Sequence, residues 1–209
     1  MSNADEPMAG RVIAGRFQIV RRLGAGGMGA VYEAVQDSIG RRVALKILSA
    51  ELAREPKQVE RFKREAQAAS KLTDPHTIIV HDYGQDDDGT LFIAMEMLEG
   101  DPLSDVLKKD GALSLERAVQ ILAQVCDSLQ EAHDAGLVHR DLKPENIFLT
   151  QRGDKKEFVK VLDFGIAKMT QSSDGEELER LTQAGAIFGT PYYMSPEQVK
   201  GVDVDSRSD

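Results

Sequence analysis

The middle of the chain reads His139-Arg140-Asp141-Leu142-Lys143-Pro144-Glu145-Asn146. This stretch brings a base, two cations and an amide together within eight residues. A second acidic motif, Asp163-Phe164-Gly165, follows after one short predicted hairpin. So many chemically active groups in two short stretches indicate a candidate functional site, and the segments on either side indicate its kind.

A glycine-rich stretch near the amino terminus reads Gly24-Ala25-Gly26-Gly27-Met28-Gly29. Glycines at this spacing let backbone amides approach phosphate oxygens without a Cβ in the way. A dinucleotide-binding fold needs such a motif to open a helix, but here it runs into the alternating strand pattern Val31-Tyr32-Glu33-Ala34-Val35. The Rossmann interpretation therefore fails, and a flap of two strands joined by a phosphate-binding loop remains.

A lysine, Lys46, ends the predicted buried strand Val43-Ala44-Leu45-Lys46. Glu65 falls on the inward face of the predicted helix that follows. Because a solitary interior lysine is costly, we expect it to have an ion-pair partner.

The apolar patterns predict two parts that differ in secondary structure. We predict a disordered leader over 1–15, a lobe of antiparallel strands with one helix over 16–97, and a mainly helical lobe over 98–209. The predicted strands lie within 17–48 and at 78–83, 91–96, 146–149 and 158–162. The predicted helices span 56–71, 103–109 and 114–136, and the polar stretch 168–189 is predicted to be a mobile loop.

This ordered set of motifs resembles the signature of eukaryotic-type (Hanks-type) protein serine/threonine kinase catalytic domains, in a style similar to that of bacterial kinases. The resemblance covers Phe17 to Asp209. It implies an α+β, bilobal protein-kinase-like fold whose helical lobe is incomplete at Asp209. It also implies an enzyme that transfers the γ-phosphate of ATP to Ser and Thr hydroxyls of proteins, including its own loop.

The same resemblance assigns residues to ATP. Glycines 24, 26 and 29 would cover the phosphates, Lys46 would contact the α- and β-phosphates, and Glu65 would position Lys46. Met95 resembles the gatekeeper, and Glu96 and Leu98 resemble the hinge residues that offer backbone groups to adenine. The implied nucleotide-binding residues are Leu23, Gly24, Gly26, Gly29, Val31, Ala44, Lys46, Met95, Glu96, Leu98 and Phe148.

The catalytic and metal roles follow from the resemblance in the same way. Asp141 would orient the substrate hydroxyl and accept its proton, and Lys143 would neutralise charge at the γ-phosphate. Asn146 and Asp163 would ligate Mg²⁺, since hard oxygen ligands suit a hard cation. His139 resembles a packing histidine of the family despite its place beside Asp141. Asp209 matches an aspartate of the family that hydrogen-bonds the backbone around His139 and Arg140.

Regulation by loop phosphorylation is implied because Arg140 precedes Asp141. In the family such an arginine pairs with a phosphate that carries a charge of about −1.5 to −2. Thr182 is our preferred phosphosite, with Thr170, Ser172 and Ser173 as rivals. Thr190 stands in a segment that resembles the substrate-docking segment of Ser/Thr kinases, where it would contact the catalytic loop.

The composition limits partners and location. A formal net charge of −9 argues against a nucleic-acid partner. The single cysteine, Cys126, cannot form an intrachain disulfide, and its place in an apolar helical pattern predicts a core position. No apolar stretch approaches the roughly 18 residues of a membrane span, so we expect a cytoplasmic chain without membrane contact.

The acidic run Asp86-Asp87-Asp88 is interpreted as a solvated hairpin. His76, His81 and His133 are interpreted as structural residues, because they lack metal-ligand spacing.

Two other functions remain open at this point. A nucleotide-binding pseudokinase or scaffold would keep the fold, but such proteins usually lose the equivalents of Lys46, Asp141 or Asp163, which are all present. A small-molecule kinase similar to aminoglycoside kinases would lack the Lys143-Pro144-Glu145 element. If the chain stops at Asp209, we expect a loosened lower lobe, self-association through exposed apolar surface and little activity.

Overall fold

A computed structural model describes residues 8–26, 29–48, 52–54, 56–164 and 191–209. It divides the chain into two compact units. The first comprises the chain up to Ser70 together with Ile79–Leu98, and the second comprises Lys71–Ile78 and Glu99–Asp209. The sequence-based boundary after residue 97 differs from this division by one residue, but it did not separate Lys71–Ile78 from the residues around it.

The first unit is built on one six-stranded antiparallel sheet. In chain order its strands are β1 (Val12–Ile13), β2 (Phe17–Gly26), β3 (Gly29–Gln36), β4 (Arg41–Leu48), β5 (Val80–Gln85) and β6 (Leu91–Glu96). They lie in the order β1-β2-β3-β4-β6-β5. The antiparallel N-terminal lobe expected from the sequence is confirmed, although β5 begins two residues later than predicted.

The core of this unit lies on one face of the sheet. Because side chains alternate between the two faces of a strand, every second residue of β4 points inward. The buried residues of this core are Ile13, Phe17, Ile19, Tyr32, Ala34, Val43, Leu45, Ile47, Phe92 and Ala94. Phe17 and Phe92 pack with ring centroids 5.6 Å apart. The intervening residues of the same strands therefore point to the second, opposite face of the sheet, which is not part of this core.

The amino-terminal segment corrects two predictions. Residues 8–15 are ordered, since Ile13 is fully buried and pairs with Phe17. Arg11 forms ion pairs with Asp86 at 3.0 Å and with Asp88 at 2.6 Å, and the Ala14 N–H donates to Asp86 Oδ1. The acidic turn is therefore an attachment point for the segment and not simply a solvated hairpin. Since β1 and β5 lie at opposite ends of the strand order, these contacts join the two edges of the sheet.

One long helix completes the first unit. Helix α1 spans Pro56–Ala69, beginning at the proline predicted from the sequence. A proline is tolerated in a first helical turn because its missing N–H would have no partner there. Phe62, Ala66 and Ala69 are buried at helical spacing. This buried stripe fixes which side of α1 faces the sheet.

The second unit combines helices with a small sheet. Its helices are α2 (Leu103–Asp110), α3 (Leu115–Asp134) and the short α4 (Pro196–Lys200). Its sheet consists of β7 (Gly100–Pro102), β8 (Ile147–Arg152) and β9 (Lys155–Val161). Ser114 caps α3 by accepting the N–H of Arg117, as the sequence predicted. None of the helices that the structure describes is both long and apolar enough to cross a membrane.

The segment Lys71–Ile78 is attached to this second unit through α3 and β9. Glu131 of α3 accepts the N–H groups of Thr73 and Asp74 and the Thr73 hydroxyl at 2.7–3.0 Å. The His76 ring hydrogen-bonds the Val159 carbonyl at 2.9 Å. Thr77 hydrogen-bonds Ser128 on α3 at 2.7 Å. The segment is thereby held at several independent points.

Helix α3 differs from the prediction in the face it buries. Ile121, Val125 and Leu129 are buried as expected. Cys126, which was predicted to be a core residue, is exposed. It lies with Leu115, Val119 and Leu122 on a second apolar stripe, which we call the α3 stripe; Leu115 is 82% exposed. The prediction was wrong because one apolar pattern served two adjacent faces, and only one of them packs on described residues.

Several predicted features lie outside the described residues. They are Gly165, the loop 168–189 with its candidate phosphosites Thr170, Ser172, Ser173 and Thr182, and Thr190 of the substrate-docking segment.

Candidate nucleotide and catalytic sites

The three glycines of the flap differ in their surroundings. A Cβ added to Gly29 would lie 2.0 Å from the Ile47 carbonyl oxygen, and the φ of Gly29 is +140°. Among the residues that the structure describes, a Cβ at Gly24 or Gly26 would meet nothing within 4 Å. Gly29 is therefore required by the close approach of β3 to β4, whereas Gly24 and Gly26 leave open space above the end of β2. That space suits a phosphate cradle formed by backbone amides.

The second face of the first sheet carries four of the eleven residues implied for nucleotide binding. Strand register sets Val31 opposite Lys46 and Ala44 opposite Met95. Directly paired residues point to the same side of a sheet, and so do residues two apart along one strand. These four side chains therefore share one face. Lys46 is 8% exposed there, so the lysine is buried as the sequence predicted.

The remaining predicted residues of the first unit lie on α1, β2 and β6. Glu65 is half-buried on α1 between the buried Phe62 and Ala66. Glu96 is tied to Ile79 twice, because its N–H donates to the Ile79 carbonyl and its side chain accepts the Ile79 N–H, both at 2.9 Å. These bonds fix the end of β6. Leu98 follows β6, and Leu23 lies exposed near the end of β2.

In the second unit the residues predicted to be catalytic form a connected polar cluster. Lys143 Nζ lies 2.8 Å from Asp141 Oδ2. Asn146 Nδ2 donates to the same carboxylate oxygen at 3.2 Å and to the Asp141 backbone carbonyl at 2.8 Å. A cation and an amide therefore orient the Asp141 carboxylate from two sides. A 3₁₀ turn, Pro144–Asn146, brings the amide back to the aspartate.

The two residues implied for a metal lie at one end of the β8–β9 hairpin. The Leu162 N–H donates to the Asn146 carbonyl at 2.8 Å, which places Asp163 one residue beyond this bond. Asp163 has a φ of +59°, an uncommon backbone conformation for a non-glycine residue. Mg²⁺ in nucleotide enzymes usually takes one or two side-chain oxygens, with phosphate and water completing its shell. One carboxylate and one amide at this position fit that requirement.

His139 has the packing role expected from the sequence. It is fully buried, and its ring lies 4.9 Å from that of Phe164, edge to face. Nδ1 accepts the Asp141 N–H at 3.2 Å, so Nε2 is the donor to the Leu162 carbonyl at 2.7 Å. Burial lowers the pKa of His139 below its usual range. The ring is therefore neutral, and it hydrogen-bonds the backbone at Asp141 and at Leu162.

The Asp209 side chain hydrogen-bonds the backbone of the same loop. Its side chain is 1% exposed and accepts the N–H groups of His139 at 2.6 Å and Arg140 at 2.7 Å. His133 of α3 hydrogen-bonds the same carboxylate at 2.9 Å. The sequence resemblance implied the backbone bonds of Asp209. His133 was predicted to be structural because it lacks metal-ligand spacing, and its partner in the structure lies 76 residues away.

Helix α4 contributes a contact that sequence reasoning missed. The side chain of Gln198 donates to the Arg140 carbonyl at 2.7 Å and accepts the Ser195 N–H at 2.9 Å. The Ser195 hydroxyl in turn accepts the Gln198 N–H, which completes a capping box. The Ser-x-x-Gln pattern could have revealed the cap. Nothing in the sequence pointed to the Arg140 bond.

Phe148 belongs to β8 of the second unit, where it is half-buried opposite Lys160. Glu197 accepts a hydrogen bond from the Ser208 hydroxyl.

Comparison with known proteins places these motifs in a family. The protein kinase domain model matches residues 17–209. The serine/threonine-protein kinase pkn3 of Myxococcus xanthus is 48% identical over 200 residues, which are 96% of this chain and 36% of that protein. The serine/threonine-protein kinase PknA of Mycobacterium tuberculosis is 42% identical over 207 residues, 97% of this chain and 46% of that protein.

A solved structure agrees with the sequence relatives. The crystal structure of the Mycobacterium tuberculosis PknI kinase domain matches with a TM-score of 0.75 at 34% identity, over 96% of this chain and 71% of that one. The chain spans less than half the length of the two curated relatives. Since the family model covers almost all of it and the relatives exceed 40% identity, the chain belongs to the protein kinase domain family, with relatives among the bacterial Hanks-type serine/threonine kinases.

Proposed function

We propose that this chain is the catalytic part of a protein serine/threonine kinase that uses ATP and Mg²⁺. The observation that carries the proposal is the Asp141 carboxylate, which Lys143 and Asn146 hold from two sides. A nucleotide-binding scaffold would not need an oriented carboxylate of this kind. We therefore do not favour the pseudokinase alternative.

The proposed reaction is an in-line transfer of a phosphoryl group. The oxygen of a Ser or Thr hydroxyl attacks the γ-phosphorus of ATP, the bond from that phosphorus to the β-phosphate oxygen breaks, and ADP leaves. Asp141 orients the hydroxyl and accepts its proton. Lys143 offsets charge on the transferring group. Asn146 and Asp163 would hold Mg²⁺, which supplies charge neutralisation at the phosphates.

ATP recognition is proposed for the second face of the first sheet and the flap above it. Gly24 and Gly26 have the open space that a phosphate cradle needs. Lys46 is a buried cation that would meet the α- and β-phosphates, with Glu65 positioning it. The adenine contacts proposed within the first unit are Leu23, Val31, Ala44, Met95, Glu96 and Leu98.

Regulation by phosphorylation is proposed for Arg140. Its Nε is buried and makes no hydrogen bond to the residues that the structure describes. A buried guanidinium N–H that lacks an acceptor would be satisfied by a phosphate group, which offers several acceptor oxygens. We propose phospho-Thr182 as this partner, with autophosphorylation as its source. Thr190 is proposed to contact Asp141 and Lys143.

The proposed partners are protein substrates and further copies of the chain. Because ATP is the proposed cosubstrate, we place the activity in the cytoplasm. The net charge of −9 argues against a nucleic-acid partner. Self-association is proposed through the α3 stripe.

Phosphoryl transfer is the direct test of this function. With radiolabelled ATP and a generic basic protein as substrate, Lys46→Met and Asp163→Asn should lower the rate by at least about a hundredfold, because charge stabilisation supplies most of the catalysis. Asp141→Asn should lose turnover but keep ATP binding. Lys109→Met, at an exposed lysine of α2, is the matched control and should keep full activity. Undiminished transfer in Lys46→Met would contradict the assignment.

Mapping of phosphorylated residues tests the regulatory part. After incubation with ATP, most phosphate should lie within 168–189, with Thr182 dominant. Thr182→Ala and Arg140→Ala should each lower turnover by about tenfold or more, because both remove the same ion pair. If Thr182→Ala leaves both activity and loop phosphate unchanged, the switch lies at another residue.

A further inference from the structure

The peptide bond between Arg140 and Asp141 is held at both of its polar atoms. Its carbonyl oxygen accepts a hydrogen bond from Gln198 Nε2 at 2.7 Å. Its N–H donates to His139 Nδ1 at 3.2 Å. A peptide plane fixed at both ends cannot rotate unless one of these two bonds breaks, because the carbonyl and the N–H move together.

Arg140 itself has an unusual backbone conformation. Its φ is +65°, in the left-handed region that non-glycine residues seldom occupy. Such a conformation persists only where the surroundings determine it. On the amino-terminal side Asp209 accepts the Arg140 N–H at 2.7 Å. On the carboxyl-terminal side the Arg140 carbonyl accepts a hydrogen bond from Gln198, and the Asp141 N–H donates to His139.

Gln198 is itself held in place by the cap of α4. Its Oε1 accepts the Ser195 N–H at 2.9 Å, so the side-chain amide has a fixed orientation with Nε2 aimed at the Arg140 carbonyl. The amide therefore connects two segments that have separate roles in the proposed reaction. One carries Asp141, and the other directly follows the segment that resembles the substrate-docking segment of Ser/Thr kinases.

We propose that Gln198 is a positioning residue that holds the Arg140–Asp141 peptide, and with it the Asp141 carboxylate, in the orientation needed for phosphoryl transfer. This inference rests on the proposed function. It makes turnover depend on where α4 lies: a displacement of the helix removes the bond to the Arg140 carbonyl and lets the strained peptide relax. Arrangement of the docking segment and orientation of the catalytic carboxylate are thereby coupled through one amide.

Two substitutions in the full-length protein separate this contact from the helix cap. Gln198→Glu keeps an oxygen for the Ser195 N–H but replaces the donor with an acceptor facing the Arg140 carbonyl. Gln198→Met keeps the length and removes both bonds without adding repulsion. We expect each to lower kcat at least tenfold while KM for ATP stays within twofold. Ser195→Ala removes only the hydroxyl of the cap and should stay within threefold of the unaltered kcat.

Backbone hydrogen exchange gives a second measurement that does not need activity. The amide of Asp141 should exchange at least tenfold faster in Gln198→Met than in Ser195→Ala. If the unaltered protein transfers no phosphate, the proposed function fails, and this exchange comparison still decides whether Gln198 holds the peptide. Turnover within threefold of normal in both Gln198 variants would overturn the inference. Equal losses of kcat in Ser195→Ala and Gln198→Met, or equal exchange rates, would overturn it as well, because they would assign the effect to the cap.

Discussion

At the scale of single residues, the structure separates glycines that the sequence pattern treats alike. All three motif glycines were predicted to make room for phosphate. Gly29 instead makes room for the backbone of β4, since the Ile47 carbonyl oxygen would lie 2.0 Å from its Cβ. Gly24 and Gly26 have no such neighbour in the part of the chain that the structure describes. One motif therefore combines a folding requirement with a binding requirement.

Alanine substitutions can tell these two requirements apart. Gly29→Ala should lower the free energy of unfolding by about 1–3 kcal/mol from backbone strain alone, with the overlap on Ile47 adding to it. Gly24→Ala and Gly26→Ala should change stability by no more than about 0.5 kcal/mol. They should nevertheless weaken ATP binding several-fold, because a methyl group would enter the proposed cradle. Urea unfolding and nucleotide titration of the three variants measure both effects. Equal stability losses at all three positions would contradict this division of roles.

At the scale of elements, one side chain of α3, Glu131, binds the start of the segment Lys71–Ile78 through three hydrogen-bond donors. Burial by itself would raise the pKa of Glu131, but the N–H groups of Asp74 and Thr73 and the Thr73 hydroxyl outweigh it and lower the pKa below its usual value of 4.5. The folded state therefore favours the ionised carboxylate. Its contribution to stability is fully present above the unfolded pKa and is lost as the pH falls through the folded pKa.

Glu131→Gln should reproduce this loss at neutral pH. We expect the variant to be less stable than the unaltered protein at pH 7, by roughly 1–3 kcal/mol, since the N–H donors lose an ionised acceptor. The difference should shrink as the pH falls below about 4.5, where the unaltered glutamate also becomes protonated. Asp127→Asn, at an exposed carboxylate one turn earlier on α3, is the control and should show little difference at either pH. A gap between unaltered protein and Glu131→Gln that stays constant from pH 7 to pH 3 would show that ionisation of Glu131 is not involved.

The elements that sequence patterns predicted well are those with a strong local signal. Helix α3 has a serine cap and a long apolar period, and β6 contains a continuous apolar run at 91–95. The missed strands β1 and β7 have two and three residues, too few to show any period. They form because a neighbouring strand supplies hydrogen-bond partners, and such partners are invisible in a local window.

At the scale of the whole molecule, the sequence predicted the contacts of the candidate site that are local in the chain and missed those between distant residues. Asp141, Lys143 and Asn146 lie within one short motif, so their proximity follows from the sequence. The contacts of Gln198 with Arg140 and of His133 with Asp209 join residues 58 and 76 positions apart. Only the fold brings them together, and no spacing rule predicts them. Resemblance supplied the role of Asp209, but it supplied none for Gln198.

The α3 stripe leads to a prediction about association. Leu115, Val119 and Leu122 expose apolar side chains on one face of α3, and burying such side chains is favourable by about 1.5–3 kcal/mol for each leucine. We therefore expect the 209-residue chain to self-associate at micromolar concentration.

Leu115→Ser with Leu122→Ser should raise the dissociation constant at least tenfold, because each copy loses two buried side chains. Ile39→Ser, at an exposed apolar residue of the first unit, is the matched control and should leave association unchanged. Sedimentation velocity over a concentration series measures all three proteins. A monomeric unaltered chain, or association that is equally strong in the serine double variant, would show that the α3 stripe does not mediate contact between copies.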